Sequence, residues 1–277
     1  MQLQTAEALW GRIEALAREK PGGVVATDGD GTLWQGDVGE DLFHAFLDHG
    51  RVELSARGAI RRDALEHGLS DAGSGVDVAR RIYAAYVEGR FPEERVCELM
   101  TWCFAGWTGS EVAAFAHEAV ERGGLATRLH DEVLRVLERV RAAGLETVLV
   151  SASPFAVVLE AGSRVGFDED HVVAAHPGYD GQVIMPCVDR PIPYAAGKVT
   201  RLRERIGQER VLYAAFGDNA FDVAMLSSAR IPVAVRPKER LRELAAAIPG
   251  LVELAPEGPE VGRSAGASSK GSRADGV

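Results

Sequence analysis

With 277 residues, 46% hydrophobic and 26% charged, the chain is long enough for a full apolar core and a second, smaller domain. Its 41 acidic side chains outnumber 31 basic ones, a net charge of −10, which argues against nucleic acid and anionic membranes as partners. The start, Met1-Gln2-Leu3-Gln4, lacks the features of a signal peptide, and no apolar run is long enough to span a bilayer. Cys97, Cys103 and Cys187 form no CxxC pair, so they are expected to be reduced thiols in a cytoplasmic protein.

In chain order, Thr5 to Lys20 predicts a helix with Leu9, Ile13 and Leu16 on one face, stopped by Pro21-Gly22-Gly23. A short β-branched run, Val24-Val25-Ala26-Thr27, follows. From Asp37 to Gly123 the period is helical: Leu42, Phe43, Phe46 and Leu47; then Val78, Ile82, Tyr83, Tyr86 and Val87; then Val96, Leu99, Met100 and Cys103. A last helix carries Val112, Phe115, Ala116, Ala119 and Val120, with a cap expected near Ser110. These residues, 35–123, are expected to form an all-helical insert over the mouth of a sheet.

Strand and helix then alternate. Val133 to Val140 marks a helix closed by Gly144, and Glu146 to Val150 a buried strand leading to Ser151-Ala152-Ser153. Ser153-Pro154 reads as the cap and first turn of the next helix. His171 to Ala175 and Gln182 to Met185 read as a hairpin. Lys198 to Ile206 is a helix, Val211 to Phe216 a strand, Phe221 to Leu226 a helix, Ile231 to Val235 the last strand and Pro237 to Ile248 the last helix. Such alternation predicts an α/β fold, a Rossmann-like, mostly parallel sheet with helices on both faces. That core would take in 1–34 and 124–256. The Gly- and Ser-rich residues 257–277 are expected to be disordered.

The chemistry concentrates at Asp28-Gly29-Asp30-Gly31-Thr32, directly after the first buried strand. Residues i and i+2 of a strand point to the same side, so both carboxylates leave the sheet's C-terminal end together. Two carboxylates this close call for a cation between them or a shared proton. The competing reading is an Asp-Gly turn in a surface hairpin. Ser151, at another strand end, offers a hydroxyl suited to a phosphate oxygen. Lys198 starts a helix, a poor place for a cation unless it faces an anion. Asp218 ends a further strand, Asn219 follows it, and Asp222 lies one helical turn on. A hard cation that keeps water and accepts phosphate oxygens, magnesium, fits this set.

In order, Asp28-Gly-Asp30-Gly-Thr32, Ser151, Lys198 and Gly217-Asp218-Asn219-Ala-Phe-Asp222 resemble the four motifs of the haloacid dehalogenase superfamily. The helical insert and the hairpin before Lys198 resemble its phosphoserine phosphatase-like branch. The resemblance implies a magnesium-dependent phosphatase for a small phosphorylated metabolite. Asp28 would attack phosphorus to form an aspartyl-phosphate, and Asp30 would serve as general acid and then base. The metal would be held by Asp28, the main-chain carbonyl of Asp30 and Asp218, with Asn219 and Asp222 in support. Ser151, Lys198 and Thr32 would bind the phosphoryl oxygens. The family's dehalogenases lack the second acid of the first motif, so Asp30 favours a phosphatase.

Phe221 stands where phosphoserine phosphatases usually carry an asparagine. Asp37, then Glu40, best match by spacing the carboxylate with which their caps grip the substrate amine. Trp34, Trp102, Trp107, Tyr83 and Tyr86 also allow an aromatic box for a quaternary ammonium, and hence a phosphocholine-type amine ester as substrate. A catalytically silent binding protein on the same fold is the alternative from another class. A phosphotransferase would share every motif and differ only in what the cap admits.

Overall fold

In the computed structural model, which describes residues 1–256, β1 (Gln2–Gln4) leads into α1 (Ala6–Glu19). Thr5 caps α1, its hydroxyl accepting from the Ala8 amide at 3.2 Å. β2 (Val24–Thr27) is fully buried, and five consecutive helices follow it. These are α2 (Val38–His49), α3 (Leu54–Glu66), α4 (Gly75–Val87), α5 (Glu93–Trp102) and α6 (Gly109–Arg122). The chain then alternates through α7 (Asp131–Ala142), β3 (Glu146–Pro154), α8 (Phe155–Ser163) and β4 (Val172–Ala175). A hairpin, β5 (Pro177–Asp180) and β6 (Val183–Val188), precedes α9 (Ala196–Ile206), β7 (Leu212–Gly217), α10 (Val223–Ser228), β8 (Ile231–Val235), α11 (Glu239–Leu244) and β9 (Val252–Leu254).

Seven strands form one sheet in the order β1-β9-β8-β7-β2-β3-β4, every neighbouring pair parallel. Successive strand residues alternate between two cores, as a period of two requires. Val24, Ala26, Val148, Val150 and Ala215 lie with Leu202, Met225 and Leu241 of α9, α10 and α11. Val25, Leu149, Ala214 and Phe216 lie with Ile13, Leu137 and Val158 of α1, α7 and α8. Burial on both faces is why these strands are nearly uninterrupted apolar runs. From β2 the chain order runs outward through β3 and β4 on one side and through β7, β8 and β9 on the other. The strand order therefore reverses at β2, and a crevice opens beyond the carboxyl ends of β2, β3 and β7.

The apolar faces of the five helices share one continuous core with the α1/α7/α8 side of the sheet, and α6 packs along α8. The hairpin clasps the insert through main-chain bonds: the Gly106 amide to Ile184 O (2.9 Å), Ile184 to Trp107 O (2.8 Å) and Gly109 to Gln182 O (3.0 Å).

Several local expectations change. His171 to Ala175 is not half of a hairpin: β4 pairs in parallel with β3, and the hairpin is β5 with β6 around Gly181, φ +59°. The turn signal was in the sequence, but β4 is buried and apolar, which suits the main sheet. α3 was not foreseen because its buried face is built from Ala56, Ala59, Ile60 and Ala64, a weak hydrophobic signal. α6 is capped by Thr108 with Glu111, two residues before Ser110. β3 runs through Pro154, so Ser153 caps no helix. The last helix ends at Leu244 and continues only as a 3-10 turn, Ala245–Ala247. The short strand β1 forms one edge of the sheet, paired with β9, which itself pairs with β8. The disorder expected for 257–277 lies outside the described residues.

Candidate active site

Asp28 follows β2 directly, its amide donating to Phe216 O of β7 at 3.0 Å. Its side chain is 7% exposed. Oδ1 accepts from Lys198 Nζ at 2.6 Å and Oδ2 from the Thr32 hydroxyl at 3.2 Å. Thr32, expected to bind phosphate, is wholly buried and its hydroxyl donates to Asp28. Gly31 sits at φ +81°, and a Cβ there would lie 2.2 Å from Asp218 Oδ2, so only glycine lets the loop pass this close.

Lys198, in the first turn of α9 and 4% exposed, bridges two carboxylates: Asp28 and, at 2.5 Å, Asp222 Oδ1. Burial pulls its pKa down, but Asp222 and Asp28 outweigh that and hold it above the ordinary value. Asp222 Oδ2 accepts from the amides of Asp218 and Asn219, both at 3.0 Å. Asn219 caps the 3-10 turn Ala220–Asp222 through a 2.7 Å bond from the Ala220 amide. Asp222 is therefore a brace that joins Lys198 to the end of β7.

Oxygens of Asp28, Asp218 and Asp222 all lie within 4.8 Å of one another. Burial raises Asp28 well above the carboxylate range, with Lys198 opposing and Asp222 and Asp218 adding to the rise. Burial and Asp222 push Asp218 up to about 6, against Lys238. Crowded, buried, all-oxygen donors of this kind fit a hard divalent cation such as magnesium. Both oxygens of the Asp30 side chain are engaged outside this cluster, so any ligand Asp30 supplies is its main-chain carbonyl.

Asp30 is a hub of four hydrogen bonds. Oδ1 accepts from Trp34 Nε1 and the Val38 amide, each at 2.8 Å. Oδ2 accepts from the hydroxyls of Ser151 (3.2 Å) and Ser153 (2.8 Å). The Ser151 hydroxyl also accepts from the Ser153 amide at 3.0 Å. Ser153, read from sequence as a helix cap, thus belongs to the site through Asp30. Because β3 continues to Pro154, residues 151 and 153 share one side of the strand.

These groups line a cavity of about 810 Å³ between the sheet's carboxyl edge and the insert. Asp37 caps α2, accepting from the Glu40 amide at 2.9 Å, and burial with Asp30 nearby raises its pKa well above the usual range. Glu40 lines the same wall, joined by Glu93, which burial also pushes up. Tyr86 completes that wall, while Tyr194 and Phe221, ring centroids 4.7 Å apart, stand near the acid cluster. Trp34, Trp102 and Trp107 form no box: they are 0, 5 and 3% exposed, and Trp34 Nε1 is spent on Asp30.

Sequence reasoning missed Lys238, whose Nζ is 2.9 Å from Asp218 Oδ2 and whose amide donates to Asp218 O at 2.8 Å. It also missed the device that places it. Arg236, at φ +42°, forks onto buried Glu132 with bonds of 2.7 and 3.2 Å. The one available signal was position, since Arg236-Pro237-Lys238 follows β8 at the carboxyl edge. His130, set aside from sequence, lines the cavity while its Nδ1 bonds to Thr32 O at 2.9 Å.

Comparison with solved structures gives fold likenesses. A protein with unknown function from Bordetella pertussis Tohama I is 23% identical (TM-score 0.62), covering 84% of this chain and 98% of that one. A conserved functionally unknown protein from Anaerococcus prevotii DSM 20548 is 16% identical (TM-score 0.63), covering 89% and 90%. A substrate-bound phosphoserine phosphatase is 14% identical (TM-score 0.46), covering 83% and 99%. No curated protein matches the sequence. The family model for haloacid dehalogenase-like hydrolases matches residues 25–227, a span that holds Asp28, Asp30, Ser151, Lys198, Asp218 and Asp222. With its mostly parallel sheet and an acid cluster at the point where strand order reverses, the chain belongs to the haloacid dehalogenase-like hydrolases.

Proposed function

We propose that the protein is a magnesium-dependent phosphomonoesterase of the phosphoserine phosphatase-like type, acting on a small phosphorylated metabolite. The observation that carries this is the Lys198 bridge from Asp28 to Asp222, inside a cluster of three buried carboxylates with Asp30 at the same cavity. Asp28, Asp218 and the Asp30 carbonyl would hold the cation, which supplies charge neutralisation at the phosphoryl oxygens when bound. Asp28 is the nucleophile: Lys198 and the Thr32 hydroxyl hold its carboxylate in one orientation at the end of β2. The covalent product is an aspartyl-phosphate on Asp28. Lys198 and Ser151 face the charge that spreads over the phosphoryl group.

Asp30 gives a proton to the departing alkoxide and takes one from the water that hydrolyses the acyl phosphate. Its four donors fix the carboxyl group, and the two serine hydroxyls can rotate as its proton comes and goes. A halide leaving group needs no such proton, so this arrangement favours phosphate esters over haloacids. Residues 35–123 act as the cap over the reaction, and the cytoplasm is the compartment that fits phosphorylated metabolites. No helix among the described residues is long and apolar enough to cross a membrane.

An amine-bearing ester, phosphocholine among them, is a second reading for the leaving group. It is favoured by a wall of Asp37, Glu40, Glu93 and Tyr86, where burial raises both Asp37 and Glu93. Phosphate release from phosphoserine, phosphocholine and sugar phosphates, with and without magnesium, tests the function. Metal-dependent release from at least one ester is expected; inactivity on the whole panel, by folded protein, points to a binding protein instead.

A further inference from the structure

Lys238 is the cation nearest the acid cluster that the four motifs leave unexplained. Its side chain is 57% exposed, yet its ammonium ends on Asp218, whose side chain is 3% exposed. Three features aim it there. Arg236 turns the chain at φ +42° and is held by its fork onto Glu132, Pro237 stiffens the next step, and the Lys238 amide bonds to Asp218 O. Asp218 Oδ2 is thereby wedged between Lys238 and the bare Cα of Gly31. Lys238 also lines the same cavity as Asp28 and Lys198, and its charge acts on Asp28 and Asp222 as well as Asp218.

Charge balance shows what this lysine changes. Ionised Asp28, Asp218 and Asp222 with Lys198 carry a net −2, and Lys238 brings the cluster to −1. A cluster at −2 attracts a divalent cation more strongly and repels a phosphate dianion more strongly than one at −1. Lys198 has two of its three N–H donors committed to carboxylates, which leaves it one for a phosphoryl oxygen, and its charge is already included in the −2. The exposed stem of Lys238 gives its ammonium room to move from Asp218 to an incoming anion.

We propose that Lys238 is a second phosphoryl-binding cation of this site, which weakens cation binding and strengthens binding of the phosphoryl anion. The inference rests on the phosphatase reading of the same cavity. Lys238 would leave Asp218 Oδ2 to meet a phosphoryl oxygen, a charge-assisted hydrogen bond exchanged for another.

The test is calorimetric, on full-length wild type, Lys238→Met and Lys238→Arg at pH 8, with magnesium alone and then with inorganic phosphate at saturating magnesium. Lys238→Met is expected to bind magnesium on the order of fivefold more tightly. It should bind phosphate roughly tenfold more weakly. Lys238→Arg, which keeps the charge, should restore both toward wild type. A merely structural lysine would shift both affinities in the same direction or neither, and either result overturns the proposal. If Lys238→Met does not fold, Lys238→Arg with wild-type affinities for both ligands supports the proposal, and loss of either affinity overturns it. If wild type binds magnesium and phosphate but a folded Lys238→Met matches it in both, the proposal fails and the phosphatase reading stands. Wild type that binds neither ligand refutes both.

Discussion

The floor and the insert-side wall of the cavity are both acidic, but only the floor is compensated. On the floor, Asp28, Asp218 and Asp222 are held by Lys198, Lys238, a threonine hydroxyl and two main-chain amides. On the wall, Asp37 meets the start of α2, and Glu93 feels Lys238 and Arg240 only at a distance. Burial raises both wall acids, and Asp28 and Asp218 on the floor as well, so the two regions differ in their bonded partners and not in the direction of the shift. A floor fixed by reciprocal bonds is suited to a constant reaction, whereas an uncompensated wall is where selectivity between leaving groups is set.

The most severe way to break the floor is at its nucleophile. Asp28→Asn should abolish turnover, by at least about a thousandfold, while circular dichroism shows a folded protein. Lys198→Met removes the one group that joins two buried carboxylates, and should cost about 3–5 kcal/mol in denaturant unfolding as well as activity. Gly31→Ala places a methyl 2.2 Å from Asp218 Oδ2 at a positive φ. It should lower stability by about 1–3 kcal/mol and weaken magnesium binding, read by titration calorimetry.

The floor should also respond to pH with a definite sign. Asp218 is raised to about 6 from an ordinary 3.8, so between these values the native state binds more protons than the unfolded chain. Stability without added cation should therefore fall as pH rises from about 4 to about 6, by on the order of 1–3 kcal/mol. Saturating magnesium should remove that fall, which thermal melts across the range will show. The wall should give the smallest effect: Glu93→Gln should change KM for an amine ester by about threefold and leave kcat on a neutral ester within error.

The floor was legible in the sequence because strand ends announce themselves. Asp28, Ser151 and Asp218 each follow a buried β-branched or apolar run, and a parallel sheet brings such ends to one edge. Lys198 and Asp222 were legible by helical position. What escaped notice depends on backbone detail that no short pattern encodes. Lys238 reaches Asp218 only because Arg236 takes a left-handed turn clamped by Glu132, more than a hundred residues earlier. Ser153 was read as a cap because Ser-Pro commonly starts a helix, but β3 runs four residues beyond Val150, to Pro154, and turns the Ser153 hydroxyl to Asp30. The aromatic residues were ambiguous for a different reason. A tryptophan at helical spacing serves core or cavity equally well, and packing placed Trp102 and Trp107 in the core while Tyr86 faces the cavity. The insert's α3 stayed hidden behind its alanines.

The central claim is that Asp28 itself carries the phosphoryl group during turnover. Acid quenching with magnesium and a hydrolysed ester, followed by borohydride reduction and peptide mass spectrometry, tests it directly. Homoserine at position 28 is the predicted result, because borohydride reduces an acyl phosphate and spares a free carboxylate. Homoserine at another aspartate, or none during steady hydrolysis, would contradict it.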